Sequence, residues 1–238
     1  MPDDSTKSHK RLLEPMERLS EILFGQLGVL AVVVLLTGQV LGQETPSSAP
    51  AKPPAAAKNP WAYNLTVDGY IIPSETSYVD PVFSAKRNWL HLEARYNYEN
   101  LRTGSLWVGY NFAVGKKLVL DVTPMIGGVF GRTNGIAPGC EASLTYKKVE
   151  LSISNEYVFD TTHKSGNFYY SFPELTYSPV DWFRVGLVAE RLKAFHTSLD
   201  VQRGFLVGVS HKKWEFTTYV FNAGFTDPTV VLEVGVNF

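Results

Sequence analysis

The sequence predicts an all-β chain, a transmembrane antiparallel up-and-down β-barrel of twelve strands, with ten as the second choice. Three observations carry that prediction. From Trp61 onward the chain breaks into segments of about nine to thirteen residues whose apolar side chains recur at every second position, with short polar or Gly/Pro stretches between them. Aromatics make up 13% of the residues and gather near the segment ends, yet mean hydropathy is only −0.06, because alternation hides the apolar share. The last ten residues, TVVLEVGVNF, place Val230, Leu232, Val234, Val236 and Phe238 on one face, against Glu233, Gly235 and Asn237.

Residues 22–41 form the only long apolar run, preceded by Lys7, Lys10, Arg11 and Arg18 and followed by Val40-Leu41-Gly42. The pattern is that of a secretory signal peptide over 1–42, cleaved after Gly42 and read by the Sec pathway, with Met1 or Met16 as the start. An uncleaved anchor is the alternative, since twenty largely apolar residues can span a bilayer. Without residues 1–42 the chain holds eighteen basic and eighteen acidic residues and is formally neutral. Residues 43–60 (QETPSSAPAKPPAAAKNP) are rich in Ala, Pro and Lys and cannot bury a core, so they read as a disordered linker.

The barrel is expected over 61–238, with strands near 62–72, 78–84, 88–99, 105–113, 118–130, 136–146, 149–160, 167–177, 182–192, 201–211, 214–222 and 229–238. The third strand alternates most clearly: Leu90, Leu92, Ala94, Tyr96 and Tyr98 on one face, His91, Glu93, Arg95, Asn97 and Glu99 on the other. The second is the weak one, because Pro81 removes a ladder donor. Alternation also suits a soluble sandwich. Aromatics placed for the membrane interface, among them Tyr63, Tyr70, Trp89, Tyr98, Trp107, Tyr110, Tyr146, Trp182 and Trp214, favour the barrel.

On this alternation, the short turns and the terminal VVLEVGVNF, residues 61–238 resemble small bacterial outer-membrane β-barrel proteins of the porin-like kind. The resemblance implies a bacterial outer-membrane location, contact with outer-membrane lipids, and an assembly signal in Val230, Leu232, Val234, Val236 and Phe238 for the barrel-assembly machinery. It implies no particular activity.

An even strand count puts both ends of the barrel in the periplasm. Four of the five periplasmic turns then carry a basic pair: Lys86-Arg87, Lys116-Lys117, Lys147-Lys148 and Lys212-Lys213. They form either a ring of charge against anionic head groups, worth about 1 kcal/mol per basic residue, or merely solvated turns. The opposite loops are short as well.

If apolar positions face lipid, the lumen receives Asp68, His91, Glu93, Arg95, Asp121, Glu141, Glu156, Glu174, Arg184, Glu190, Glu215 and Glu233. Acids dominate, and a carboxylate at membrane depth needs water or a base beside it. The expected function is a narrow porin-like channel for small polar or cationic solutes. A closed structural barrel is the alternative, filled by charge pairs and by Phe168, Tyr170, Phe172, Tyr219 and Phe221. A hydrolase working on lipid or peptide is the second alternative, with His163 beside Asp160, or His196 beside Ser198 and Asp200, at the rim; the expectation is no enzyme.

The near-neutral charge argues against nucleic acid as a partner. The single Cys140 can form no internal disulfide. Gly109–Lys117 (GYNFAVGKK) has the wrong glycine spacing for a phosphate loop, and neither a metal site nor a cofactor site stands out.

Overall fold

In the computed structural model the described residues are 60–72, 76–194, 200–224 and 228–238. The expected leader and nearly all of the expected linker, together with His196 and Ser198, lie outside them.

The strands are β1 (Ala62–Ile71), β2 (Tyr78–Arg87), β3 (Leu90–Tyr96), β4 (Thr103–Tyr110), β5 (Phe112–Val114), β6 (Leu118–Gly131), β7 (Gly135–Tyr146), β8 (Val149–Asp160), β9 (Phe168–Val180), β10 (Phe183–Ala194), β11 (Asp200–His211), β12 (Trp214–Phe221) and β13 (Thr229–Asn237). β4 and β5 both pair with β6 and are halves of one stave, interrupted at Asn111. The Asn111 N–H donates to the carbonyl of Trp89, its in-register neighbour beyond Leu90↔Tyr110, at 2.6 Å, and its side-chain oxygen accepts from Thr123 Oγ1 at 2.8 Å. Consecutive staves pair antiparallel, and β1 pairs with β13 from Asn64↔Asn237 to Ile71↔Val230. Among the described residues the result is a closed barrel of twelve staves. Pro81 is no obstacle to a full-length β2. The ladder from β2 to β3 begins at Val82↔Arg95, one residue short of it.

Every stave turns alternate side chains outward. Leu92, Leu106, Val108, Ile126, Leu151, Leu175, Leu187, Phe205, Val207, Phe216, Leu232 and Val234 are exposed there, up to 64% for Leu187. A continuous apolar wall of that extent is compatible with lipid and not with water. The lower rim is defined here as the one where β1 begins and β13 ends. It carries outward aromatics on nearly every hairpin: Tyr63, Trp89, Tyr110, Tyr146, Tyr177, Trp182, Trp214 and Phe238. Phe238 is tied to β1 by two backbone hydrogen bonds with Tyr63.

The basic residues of the lower rim stand among these rings. Lys147 Nζ lies 5.3 Å from the Tyr146 centroid, Lys213 Nζ 5.4 Å from Phe238, and the Arg87 guanidinium 5.8 Å from Trp61. Lys147 and Lys212 occupy left-handed backbone (φ 56° for both), a conformation that costs a non-glycine residue about 1 kcal/mol. Lys116, Lys117 and Lys148 are exposed, and Lys148 donates to the Pro179 carbonyl. Lys86 departs from expectation. It falls on the inward register of β2, opposite His91, and lines the lumen mouth instead of reaching toward head groups.

Candidate functional site in the barrel lumen

The inward positions form two charge centres and one aromatic partition. The first centre is Arg95 on β3. Its Nε donates to Glu93 Oε1, its Nη1 to Glu156 Oε2 of β8 at 2.7 Å, and Glu99 Oε1 lies 3.9 Å from Nη1. The guanidinium also lies against two rings, 4.3 Å from the Tyr98 centroid and 4.4 Å from that of Trp107. Trp107 can lie along the wall because Gly127 has no side chain; a Cβ there would enter the indole ring. The indole N–H reaches Ser105 Oγ at 2.9 Å, and Ser105 donates to Glu99 at 2.5 Å.

The second centre is a row that follows the hydrogen-bonding direction across six strands. Arg184 on β10 stands opposite Gly208, then come Thr217, Glu233, Asp68 and Asp80 on β11, β12, β13, β1 and β2. Arg184 passes over Gly208 to donate to Thr217 Oγ1 at 2.7 Å and to Glu233 Oε1 at 3.4 Å. Tyr219 donates to the other Glu233 oxygen at 3.1 Å. Adjacent strands are about 4.8 Å apart, so Glu233, Asp68 and Asp80 are carboxyl groups directly opposite one another, an arrangement that opposes folding when they are ionised. A Cβ on Gly208 would sit 2.6 Å from Arg184 Nε and 2.7 Å from its Cγ. Gly208→Ala is therefore expected to push Arg184 off Glu233 and lower stability by about 1–2 kcal/mol, measured by urea unfolding in detergent; an unchanged midpoint would show that Arg184 does not need the gap.

Above these centres, toward the upper rim, rings cross the lumen in contact with one another. Tyr98 meets Tyr170 edge-on at 5.6 Å, Tyr170 stacks on Phe172 at 6.2 Å, and Phe172 meets Tyr219 at 5.9 Å and Phe221 at 6.2 Å. Two inward apolar clusters flank this partition: Trp107, Met125, Val129, Ala137, Val158 and Phe168 on one side, Val188, Leu206, Val231 and Tyr70 on the other. Beneath the rings lies a cavity of about 460 Å³.

That cavity is lined by Asp68, Glu93, Arg95, Asp121, Glu141, Glu174, Arg184, Glu215 and Glu233. Of the other expected lumen residues, His91 and Glu156 are buried on the inward face behind Glu93 and Arg95. Glu190 lies on the inward register above the cavity, opposite Gln202. Sequence reasoning left Asp80 and Glu99 out of the set and placed Tyr70, Tyr98 and Trp107 at the membrane interface; all three aromatics turn inward. For Tyr98 the cause is Asn97, whose φ of 66° ends the alternation of β3 and swings the next side chain into the lumen. For Trp107 the available signal was its neighbours, since Leu106 and Val108 are both exposed on the outward face. At the upper rim, Asp160 Oδ1 accepts the backbone N–H groups of Thr162 and His163, so its carboxylate caps a turn.

No protein-family model matches the chain, and no curated protein matches it. Among solved structures, it is similar to the KdgM porin, with a TM-score of 0.56 and 13% identity over 74% of this chain and 99% of that one. It is also similar to the KdgM porin in complex with disordered oligogalacturonate, with a TM-score of 0.53 and 14% identity over 74% and 98%. OccK5 (OpdH) of Pseudomonas aeruginosa aligns at a TM-score of 0.42 and 5% identity over 76% and 67%. The chain has the fold of a small porin, a closed twelve-stranded antiparallel barrel.

Proposed function

We propose that the barrel is a narrow channel of the bacterial outer membrane for small polar or cationic solutes. The observation that carries this reading is the Glu233–Asp68–Asp80 row, of which Glu233 and Asp68 face the cavity, with Arg184 paired to Glu233 at one end. Stability alone disfavours three opposed carboxylates, whereas a cation path uses them. The solved KdgM porin has been seen with oligogalacturonate, a chain of uronic acids. An acidic wall repels such a polyanion, so this lumen suits the opposite charge.

A closed structural barrel is the second reading, favoured by the ring partition from Tyr98 to Phe221. A rim hydrolase gains no support from Asp160, which is engaged in its turn. The reading includes export through a cleaved leader over 1–42, a Pro/Ala-rich linker over 43–60, lipid contact through the lower-rim basic residues, and recognition of β13 by the assembly machinery.

Planar-bilayer recordings in a salt gradient test the channel directly. Discrete steps with a cation-selective reversal potential are expected. Neutralising one carboxylate removes about 1 kcal/mol of attraction at contact distance in water, so Glu233→Gln should lower the cation-to-anion ratio by about fivefold. Anion preference, or a ratio untouched by Glu233→Gln, would remove the acidic row from the mechanism.

A further inference from the structure

A different constellation lies low in the lumen, and the channel reading makes no use of it. His91 and Glu93 project inward from β3 and Glu141 from β7, with β4 and β6 between them. At the register of His91, β4 carries Gly109 and so adds no side chain of its own, while Met125 follows on β6. The three side chains converge across that gap: one nitrogen and two oxygens lie within 4.8 Å of one another. His91 is fully buried, with Nε2 3.0 Å from Glu93 Oε2, and its Nδ1 has no hydrogen-bond partner among the described residues.

Arg95 offsets the charge of this group only in part, because its guanidinium is shared among Glu93, Glu156 and Glu99; Lys86 stands opposite His91 at the lumen mouth. Among the described residues, no side chain hydrogen-bonds or ion-pairs with the carboxylate of Glu141, which faces the cavity with Glu93. We propose that His91, Glu93 and Glu141 form a binding site for a divalent transition-metal cation, with its remaining coordination positions open to the cavity. Bonds of about 2.1 Å place neighbouring ligand atoms about 3–3.5 Å apart. The His91–Glu93 pair already has that spacing, and Glu141 needs only a side-chain rotation of order 1 Å to reach it. An imidazole beside carboxylates selects Zn²⁺ or Ni²⁺, while Ca²⁺ and Mg²⁺ prefer sites built from oxygen alone.

The site stands independently of the channel, and its test needs no bilayer. The full chain, folded in detergent and stripped with a chelator, is titrated with Zn²⁺ by calorimetry and with Co²⁺ by absorption. One equivalent should bind, with Ca²⁺ failing to compete at equal concentration. His91→Ala and Glu141→Gln should each weaken binding by at least about tenfold, while His163→Ala and His211→Ala, both at exposed positions, leave it unchanged. Glu141→Gln preserves shape, so it decides the matter if His91→Ala does not fold, as judged by the mobility of unheated samples in gels. Absence of saturable binding, equal affinity for Ca²⁺, or indifference to both substitutions would overturn the site.

Discussion

Phe172→Ala is expected to raise single-channel conductance by about twofold or more while leaving ion preference unchanged. Phe172 is the node of the ring partition, in contact with Tyr170, Tyr219 and Phe221. Interiors pass from filled at about eight strands to open channels at sixteen, so in a twelve-stranded barrel the side chains that cross the lumen set its width. The acidic row is built from other residues, which is why selectivity should persist. The substitution costs stability, toward the low end of the roughly 3–5 kcal/mol for Phe→Ala in a sealed core, because water from the adjoining cavity can enter the gap. Bilayer recordings decide between three outcomes. A conducting parent that becomes more conducting identifies the constriction, and a silent parent that begins to conduct supports the closed barrel. A conducting parent with no change places the constriction elsewhere.

Arg95→Met should produce the largest loss of stability of any single lumen substitution, about 3–5 kcal/mol. The change leaves Glu93 and Glu156 buried without their cation and takes the positive charge from beside Glu99. It also removes a guanidinium held against Tyr98 and Trp107, an interaction worth about 2 kcal/mol when desolvated. Lys is a poor substitute, since an ammonium offers neither the planar fork nor the stacking face. Urea unfolding in detergent measures the effect. Adding Glu156→Gln to Arg95→Met should recover part of the loss by removing one orphaned charge. If the single variant proves as stable as the parent, or the second change brings no recovery, the network is not what holds β3 to β8.

The alternating faces of β3 and β8, the hairpin turns at Lys147 and Lys212, and the amphipathic β13 were all legible in the sequence. Each is a local property: a pleated strand shows its two faces within ten residues, and a turn shows itself in two to five. The inward assignment of Asp68, Glu93, Glu141 and Glu233 follows from the same period of two. Lys86 was misplaced, although the same alternation puts it in the lumen, because it was read as part of a turn rather than of β2. Tyr98 was misplaced because a single residue, Asn97, left the extended conformation and reversed the parity behind it.

Alternation along single strands thus revealed a barrel, about how many strands it has, and most of the acids that turn into its lumen. Which inward side chains meet depends on the closed barrel. Arg95 and Glu156 stand 61 residues apart on strands that are not neighbours, and Arg184 reaches Glu233 over two intervening strands. Such contacts depend on how closure staggers the strands and sets the depth of each residue in the lumen. That stagger is a property of the closed sheet, so no single strand records it.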